Sequence, residues 1–132
     1  MNLEKYSFGI GDRFGQQGTA QLEALIMARK AGIPMVPVWN KSNREHQIIK
    51  SSPEDTMLEA DQAVRALNWN ESYYVDADHI NLLTVDPFLD HANFFTLDVA
   101  DYIGSDISES ELQLFLGEAS SYLGELQIPG ID

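Results

Sequence analysis

Residues 76–79, with the sequence Asp-Ala-Asp-His, have the clearest capacity for chemistry in this chain. They continue an apolar run that is typical of a β-strand, and alternate strand residues face the same side. Asp76 and Asp78 are therefore expected to point together, next to the imidazole of His79. Such a group suits a divalent metal ion, and it equally suits a general acid–base pair. The same charges could instead cap the following helix.

Charged or hydrogen-bonding side chains also follow the other three apolar runs: Asp12, Arg13, Asn40, Arg44 and Asp98. A guanidinium at a strand end can hold a carboxylate or a phosphate through two parallel hydrogen bonds. We therefore take Arg13 and Arg44, with Asp12 and Asn40 beside them, as candidates for binding an anionic or polyhydroxylated substrate. The structural alternatives are a tight strand–helix turn at 9–15 and a solvated loop at 40–46.

Asp98 adds a carboxylate to those of Asp76 and Asp78, and all three are candidates for moving protons. If they lie close together they need a cation or shared protons, because like charges in one pocket cannot all ionise cheaply. This argument favours a metal, with His79 and Asp78 as its ligands. A second interpretation is that the acids at 98–101 only cap the turn that follows.

These candidates are positioned by four short apolar runs, each followed by a polar segment and then a helical pattern. The predicted strands cover residues 6–10, 35–39, 73–78 and 94–99. The predicted helices cover residues 19–31, a segment starting at 53, a short one at 85–91, and one starting after Ser108 with a capping box. Residues 40–51 are predicted to form a long polar loop.

Four βα units in series imply an α/β fold with a parallel sheet and right-handed crossovers. Two architectures fit: a small doubly wound domain, or the first half of a TIM-type (β/α)₈ barrel, since a whole barrel needs roughly 200 residues or more. In both, the polar clusters lie at the carboxyl edge of the sheet, where such folds bind ligands. We expect residues 1–132 to form a single α/β domain.

Composition excludes several classes of partner and chemistry. The 132 residues include 8 Lys and Arg against 21 Asp and Glu, which gives a net charge of −13. That charge argues against nucleic acid and anionic membranes as partners, because phosphate binding needs clustered basic residues. The absence of cysteine removes disulfides, thiolate metal sites and cysteine nucleophiles. No Gly-x-Ser-x-Gly elbow or P-loop lysine is present.

Three segments together resemble the tagaturonate epimerase family. They are residues 7–13 (Ser-Phe-Gly-Ile-Gly-Asp-Arg), 76–79 (Asp-Ala-Asp-His) and 95–101 (Phe-Thr-Leu-Asp-Val-Ala-Asp). The family patterns are similar to Ser-Phe-Gly-x-Gly-Asp-Arg, Ala-Asp-Ala-Asp-His and Phe-Thr-x-Asp-x-x-Asp, in the same order and at similar spacing. One departure is Val75, where the family pattern has alanine.

The resemblance implies a cytoplasmic enzyme of hexuronate catabolism that interconverts D-tagaturonate and D-fructuronate, small anionic sugar acids. It also implies a divalent metal cofactor (Zn, Mn, Ni or Co) and a (β/α)₈-type barrel. Family chains are several hundred residues long, so we expect this chain to be a fragment that lacks a C-terminal half or pairs with a second copy. The alternative is a non-catalytic α/β domain that binds an acidic sugar or a metal ion.

Overall fold

Four parallel strands form one sheet in the order β1-β2-β3-β4 in the computed structural model, which describes residues 4–125. The strands are β1 (Ser7–Ile10), β2 (Val36–Ser42), β3 (Tyr74–Ile80) and β4 (Phe94–Leu97). The helices are α1 (Gly18–Lys30), α2 (Asn43–Ile49), α3 (Pro53–Ala66) and α4 (Glu109–Ala119), with 3₁₀ turns at Asp86–Phe88 and Ser120–Tyr122. The predicted α/β fold with a four-stranded parallel sheet is confirmed.

Within residues 4–125 the chain divides into two compact units, of which the first ends at residue 99 and the second begins at residue 100. The first unit contains the sheet with α1 to α3, and the second contains α4. At the start of α4 the hydroxyl of Ser108 accepts the backbone N–H of Glu111, and the Glu111 carboxylate accepts the N–H of Ser108. The predicted capping box is therefore confirmed. No helix within residues 4–125 is long and apolar enough to cross a membrane.

The strand order bears on the two architectures that the sequence left open. A doubly wound sheet reverses its strand order at a switch point and has helices on both faces. Here the strands follow one another in sequence, and α1 and α3 pack together on the same face of the sheet. This arrangement is consistent with part of a (β/α)₈ barrel.

The main core lies between that face of the sheet and the two helices. Its buried members are Ile10, Leu22, Leu25, Trp39, Ala60, Ala63, Trp69 and Val75. The small side chains of Ala60 and Ala63 let α3 approach the sheet closely, while Trp39 fills the space between the strands and the helices. Full burial of a leucine such as Leu22 contributes about 1.5–3 kcal/mol.

The opposite face of the sheet changes character along the strands. At the amino-terminal end Val36, Val38 and Tyr74 form a second apolar cluster, against which Phe94 packs. Two residues further along β3 the same face carries Asp76, because strand side chains alternate. The apolar part of this face therefore supports the polar part, which lies toward the carboxyl edge.

The predicted polar loop at 40–51 was wrong. Strand β2 continues to Ser42, and α2 follows it directly. The cause is a capping box: the Ser42 hydroxyl accepts the N–H of Glu45, and the Glu45 carboxylate accepts the N–H of Ser42. The Ser-x-x-Glu spacing was visible in the sequence and is a signal for a helix start.

The predicted helix at 85–91 was also too long. Only a 3₁₀ turn forms, at Asp86–Phe88, and the buried Phe88 anchors it against Ala77 and Ile80. The third strand runs two residues further than predicted, since Ile80 still pairs with Leu97 of β4. Asp78 lies within the strand as predicted, and His79, which was predicted to follow the strand, also lies within it.

Close contact between β1 and β2 requires glycine at position 11. A Cβ on Gly11 would lie 2.6 Å from the Asn40 Oδ1 atom and 2.8 Å from the Asn40 backbone oxygen. A backbone oxygen cannot move away unless the strands separate. We expect Gly11→Ala to lower the free energy of unfolding by about 1–3 kcal/mol, measured by urea denaturation.

Gly9→Ala is the matched control, because a Cβ at Gly9 would meet its nearest neighbouring atom at 3.8 Å, an ordinary contact. That variant should have a free energy of unfolding close to that of the wild type. Equal destabilisation by the two substitutions would contradict the packing argument.

Candidate functional site

An irregularity in β3 sets the direction of His79. The pairing of β3 with β4 shifts between Ala77 and Ile80, and His79 adopts a left-handed backbone with φ of 53°. A bulge of this kind re-aims a side chain at the end of a strand. The His79 side chain is 64% exposed, and its Nδ1 lies 2.7 Å from the Asp78 Oδ1 atom. The bulge therefore places an imidazole and a carboxylate in direct contact at the carboxyl edge.

Asp76 occupies a different environment although it is only two residues away. It is 6% exposed, and its Oδ2 accepts a 2.8 Å hydrogen bond from the Thr96 hydroxyl. Its Oδ1 has no hydrogen-bond partner within residues 4–125. Burial raises the pKa of Asp76, the Thr96 hydrogen bond opposes this, and the nearby Asp78 charge adds to it. A buried carboxyl that readily holds a proton is suited to accept or donate one during a reaction.

A cavity of about 430 Å³ lies at the carboxyl ends of β2, β3 and β4. Four of the lining residues were candidates from the sequence: Arg44, Asp78, His79 and Asp98. The other five were not: Ser42, Asn43, Glu45, Asn81 and Thr84. The expectation that polar residues from separate strands meet at one edge is therefore confirmed for these four. We call this space the strand-end cavity.

Arg13 is positioned next to the cavity through Glu45. The Arg13 Nε lies 3.8 Å from the Glu45 Oε1 atom, and Glu45 lines the strand-end cavity. Because Arg13 is mostly exposed, this ion pair contributes little stability by itself. It does place the guanidinium beside Glu45. Burial tends to raise the pKa of Glu45, but hydrogen bonds from Ser42 and the charges of Arg13 and Lys41 lower it overall.

Asp12 organises the turn between β1 and α1. Its two carboxylate oxygens accept backbone N–H groups from Phe14 at 3.1 Å, Gln16 at 2.6 Å and Gln17 at 2.9 Å. Burial tends to raise the pKa of Asp12, but these hydrogen bonds and the charge of Lys41 lower it overall. The Asp12 carboxylate therefore stabilises the turn, and its predicted contact with substrate stays a prediction.

Asn40 lies beside Asp76 in the sheet, since the two are register partners on β2 and β3. Its side chain packs over Gly9 of β1 and over Gly11, which follows that strand. Asn40 and Asp76 therefore share one face of the sheet. Neither Asn40 nor Asp76 lines the strand-end cavity.

The imidazole nitrogens and carboxylate oxygens around the cavity are of the types that bind divalent metal ions. The part of the chain that the structure describes contains no group of three or more His, Cys, Asp or Glu side chains placed to hold one. The pair formed by His79 and Asp78 does match a common arrangement, in which a ligating histidine donates its second ring N–H to a carboxylate. With its Nδ1 on Asp78, His79 has Nε2 available for a metal.

His46, in contrast, is a buried histidine of α2. It is 4% exposed, its Nδ1 lies 2.8 Å from the Ser51 hydroxyl, and its Nε2 has no partner within residues 4–125. Burial, helped by the charge of Lys41 and opposed by two nearby carboxylates, lowers the pKa of His46 to about 4. The folded chain therefore keeps this imidazole neutral.

This predicts a specific dependence of stability on pH. The unfolded imidazole, with its ordinary pKa of 6.5, binds a proton that the folded one does not bind until about pH 4. Stability should fall as the pH drops from 6.5 toward 4, by up to about 3 kcal/mol from this group. His46→Gln removes the titration, so its unfolding free energy should fall less steeply over that window in urea denaturation.

Above about pH 7.5 the imidazole is neutral in both folded and unfolded chains, so the stability difference between the wild type and His46→Gln should be constant there. That range is the internal control. Equal slopes for the two proteins between pH 6.5 and 4 would contradict the assignment.

Two further charged groups lie behind the site, the buried Lys41 and the half-buried Glu59. Lys41 on β2 is 3% exposed, and Glu59 on α3 accepts the N–H of Gly18 at 2.9 Å. Lys41 shares its face with Trp39 by strand alternation, which was a usable signal for its burial. No local sequence pattern indicates the role of Glu59, because its hydrogen-bond partner Gly18 is 41 residues away in the sequence.

The comparisons with known proteins give one match. The model of the tagaturonate epimerase family (UxaE) matches residues 1–124. The matched range includes all four strands and every candidate residue described above. Comparisons with curated proteins and with solved structures gave no significant match.

Proposed function

This chain belongs to the tagaturonate epimerase family, and we propose that the strand-end cavity catalyses metal-dependent interconversion of D-tagaturonate and D-fructuronate. The observation that carries the proposal is the convergence of Arg44, Asp78, His79 and Asp98 on this one cavity. We further propose that the protein acts in cytoplasmic hexuronate catabolism.

The position of the inverted carbon limits the mechanism. That carbon bears a hydroxyl group and lies two bonds from the ketone carbon, so the carbonyl does not acidify its C–H bond. Cleavage of the bond between the α and β carbons avoids this difficulty. A base takes the β-hydroxyl proton, the C–C electron pair moves to the ketone side as an enediolate, and an aldehyde is released. Rotation of the aldehyde and re-formation of the bond on its other face complete the inversion.

Asp76, which shares its face of the sheet with the cavity residue Asp78 but does not itself line the cavity, is our choice for the group that moves the hydroxyl proton. Its carboxyl is buried, one oxygen is held by Thr96, and the other has no partner within residues 4–125. Burial keeps its pKa above the usual value, which brings it closer to that of a base working near neutral pH. Asp78, in contact with His79, and Asp98, in the cavity lining, are the remaining candidates.

A bound divalent metal would supply Lewis-acid polarisation of the substrate ketone. The residue we propose to hold it is His79, through Nε2, with Asp78 fixing the ring orientation through Nδ1. The sequence also suggested Asp78 as a ligand, but in this arrangement its carboxylate contacts Nδ1 and lies on the side of the ring away from Nε2.

Arg44 is our choice for binding the substrate carboxylate, because it lines the cavity. A guanidinium binds a carboxylate through two parallel hydrogen bonds. Arg13 is held toward Glu45 and lies next to the cavity, where it adds positive charge at the entrance.

The test is to measure conversion of D-tagaturonate to D-fructuronate by chromatography. Manganese, nickel, cobalt or zinc is added in turn. We expect turnover that a chelator abolishes and that the added metal restores. Binding of substrate without turnover under all metals would favour the alternative, a non-catalytic domain that binds an acidic sugar. Turnover that is insensitive to the chelator would contradict the metal requirement.

A further inference from the structure

Thr96 on β4 contacts Asp76 on β3 through a side-chain hydrogen bond between the two strands. The Thr96 hydroxyl donates to the Asp76 Oδ2 atom over 2.8 Å. Two residues earlier on each strand, the rings of Tyr74 and Phe94 pack together with centroids 5.8 Å apart. Because strand side chains alternate, Thr96 and Asp76 follow these rings on the same face of the sheet, the face opposite the helices.

The backbone pairing of the two strands is irregular at this level. It is regular up to Ala77 and Phe95, and it resumes at Ile80 and Leu97, so β3 advances by three residues while β4 advances by two. Thr96 lies within this interval. A bulge interrupts the backbone ladder, so the ladder does not fix the side chains there. The bond from the Thr96 hydroxyl therefore connects the strands where backbone pairing does not.

This bond makes the two oxygens of the Asp76 carboxyl different. The terminal torsion of an aspartate side chain has a broad energy profile, so a carboxyl with no partner can rotate. Here Oδ2 is held by Thr96, whereas Oδ1 is buried and has no partner within residues 4–125. Thr96 thus determines which oxygen is held and which is left for proton exchange.

A purely structural role for Thr96 would be to satisfy a buried polar group, since a buried carboxyl without hydrogen bonds is costly. Asp76 is 6% exposed, so that cost applies to both of its oxygens. Only one of them is satisfied within residues 4–125. The combination of one held and one open oxygen favours a role in orientation.

We propose that Thr96 is a positioning residue, which holds the Asp76 carboxyl by Oδ2 so that Oδ1 exchanges the proton of the substrate hydroxyl. This inference rests on the proposed function and on the assignment of proton transfer to Asp76. It assigns no contact with substrate to Thr96, whose effect on turnover passes through Asp76.

Thr96→Val keeps the branched shape of the side chain and removes the hydroxyl. We expect kcat for D-tagaturonate to fall about 10–100-fold, because a catalytic group misplaced by about 1 Å can cost ~100-fold in rate. KM should change much less, since Thr96 does not bind the substrate. Thr56→Val is the matched control and should leave kcat unchanged. It removes a buried hydroxyl that has no hydrogen-bond partner within residues 4–125.

Two further variants distinguish positioning from a structural role. Thr96→Ser retains the donor and should have kcat near the wild-type value. In the Asp76→Asn background, Thr96→Val should cause no further loss of kcat, because no proton-carrying group remains to be positioned. Independent losses in this double-mutant cycle would overturn the proposal, since Thr96 would then affect turnover without Asp76. Wild-type kcat in Thr96→Val would overturn it as well.

If Thr96→Val does not fold, Thr96→Cys replaces the hydroxyl by a thiol, which is a weak hydrogen-bond donor. Its kcat should lie below that of Thr96→Ser. Equal kcat values for these two variants would contradict the proposal.

Crystal structures of the wild type and of the folded variant separate this inference from the proposed function. Without the Thr96 hydroxyl, the Asp76 carboxyl should rotate away from its wild-type orientation. If the wild type does not convert D-tagaturonate at all, the proposed function fails, and this comparison still decides whether Thr96 orients the carboxyl. An unchanged orientation would reject the positioning role by itself.

Discussion

A protein carrying His79→Asn is expected to lose metal-dependent epimerisation and to keep its fold. Asparagine tolerates the left-handed backbone at this position, where φ is 53°, better than alanine does. The substitution therefore removes the imidazole with little backbone strain. We expect turnover to fall to background and metal affinity, measured by calorimetry, to fall about 10–100-fold or more.

His91→Asn is the control for loss of an imidazole outside the site. His91 lines a separate cavity with Met57, Asp61 and Tyr73 on the helix side of the sheet. Its removal should leave turnover and metal affinity unchanged. Retained turnover in His79→Asn would exclude His79 as a metal ligand, whereas lost turnover with full metal affinity would indicate a role in substrate binding instead.

Asp76→Asn is expected to reduce kcat by about 10²–10⁴-fold, the usual range for loss of a general acid or base. An amide has nearly the shape of a carboxyl and can still accept the hydrogen bond from Thr96, but it cannot take up a proton. Metal affinity should stay near the wild-type value. Steady-state kinetics together with calorimetry measure both quantities.

The stability of Asp76→Asn provides a second readout. Burial raises the pKa of Asp76, so keeping this carboxylate ionised at neutral pH is unfavourable for the folded chain. The neutral amide should therefore leave the free energy of unfolding unchanged or raise it at pH 7. Asp90→Asn, on the helix side of the sheet, is the control for loss of one negative charge. Wild-type kcat in Asp76→Asn would assign proton transfer to Asp78 or Asp98.

The order of elements and the edge that carries the site were predictable because both depend on local pattern. Apolar runs followed by helical periodicity imply parallel βα units, and parallel strands bring their carboxyl ends to one edge. Arg44, Asp78, His79 and Asp98 were selected on that basis, and the structure places them around one cavity. The start of α2 was missed although its capping pattern, from Ser42 to Glu45, was present in the sequence.

Other features of the site depend on segments that are distant in sequence. The left-handed backbone of His79 accompanies a register shift between β3 and β4, and such a shift depends on how two strands pair rather than on local propensity. The unpartnered oxygen of Asp76 and the buried ammonium of Lys41 depend on burial, which arises only when strands and helices pack. The sequence by itself thus determined which residue types reach the carboxyl edge, because strand and helix periods are local. Only the tertiary structure decided which of them are buried, paired or exposed, because desolvation and charge contacts involve residues up to 41 positions apart, as in Gly18 and Glu59.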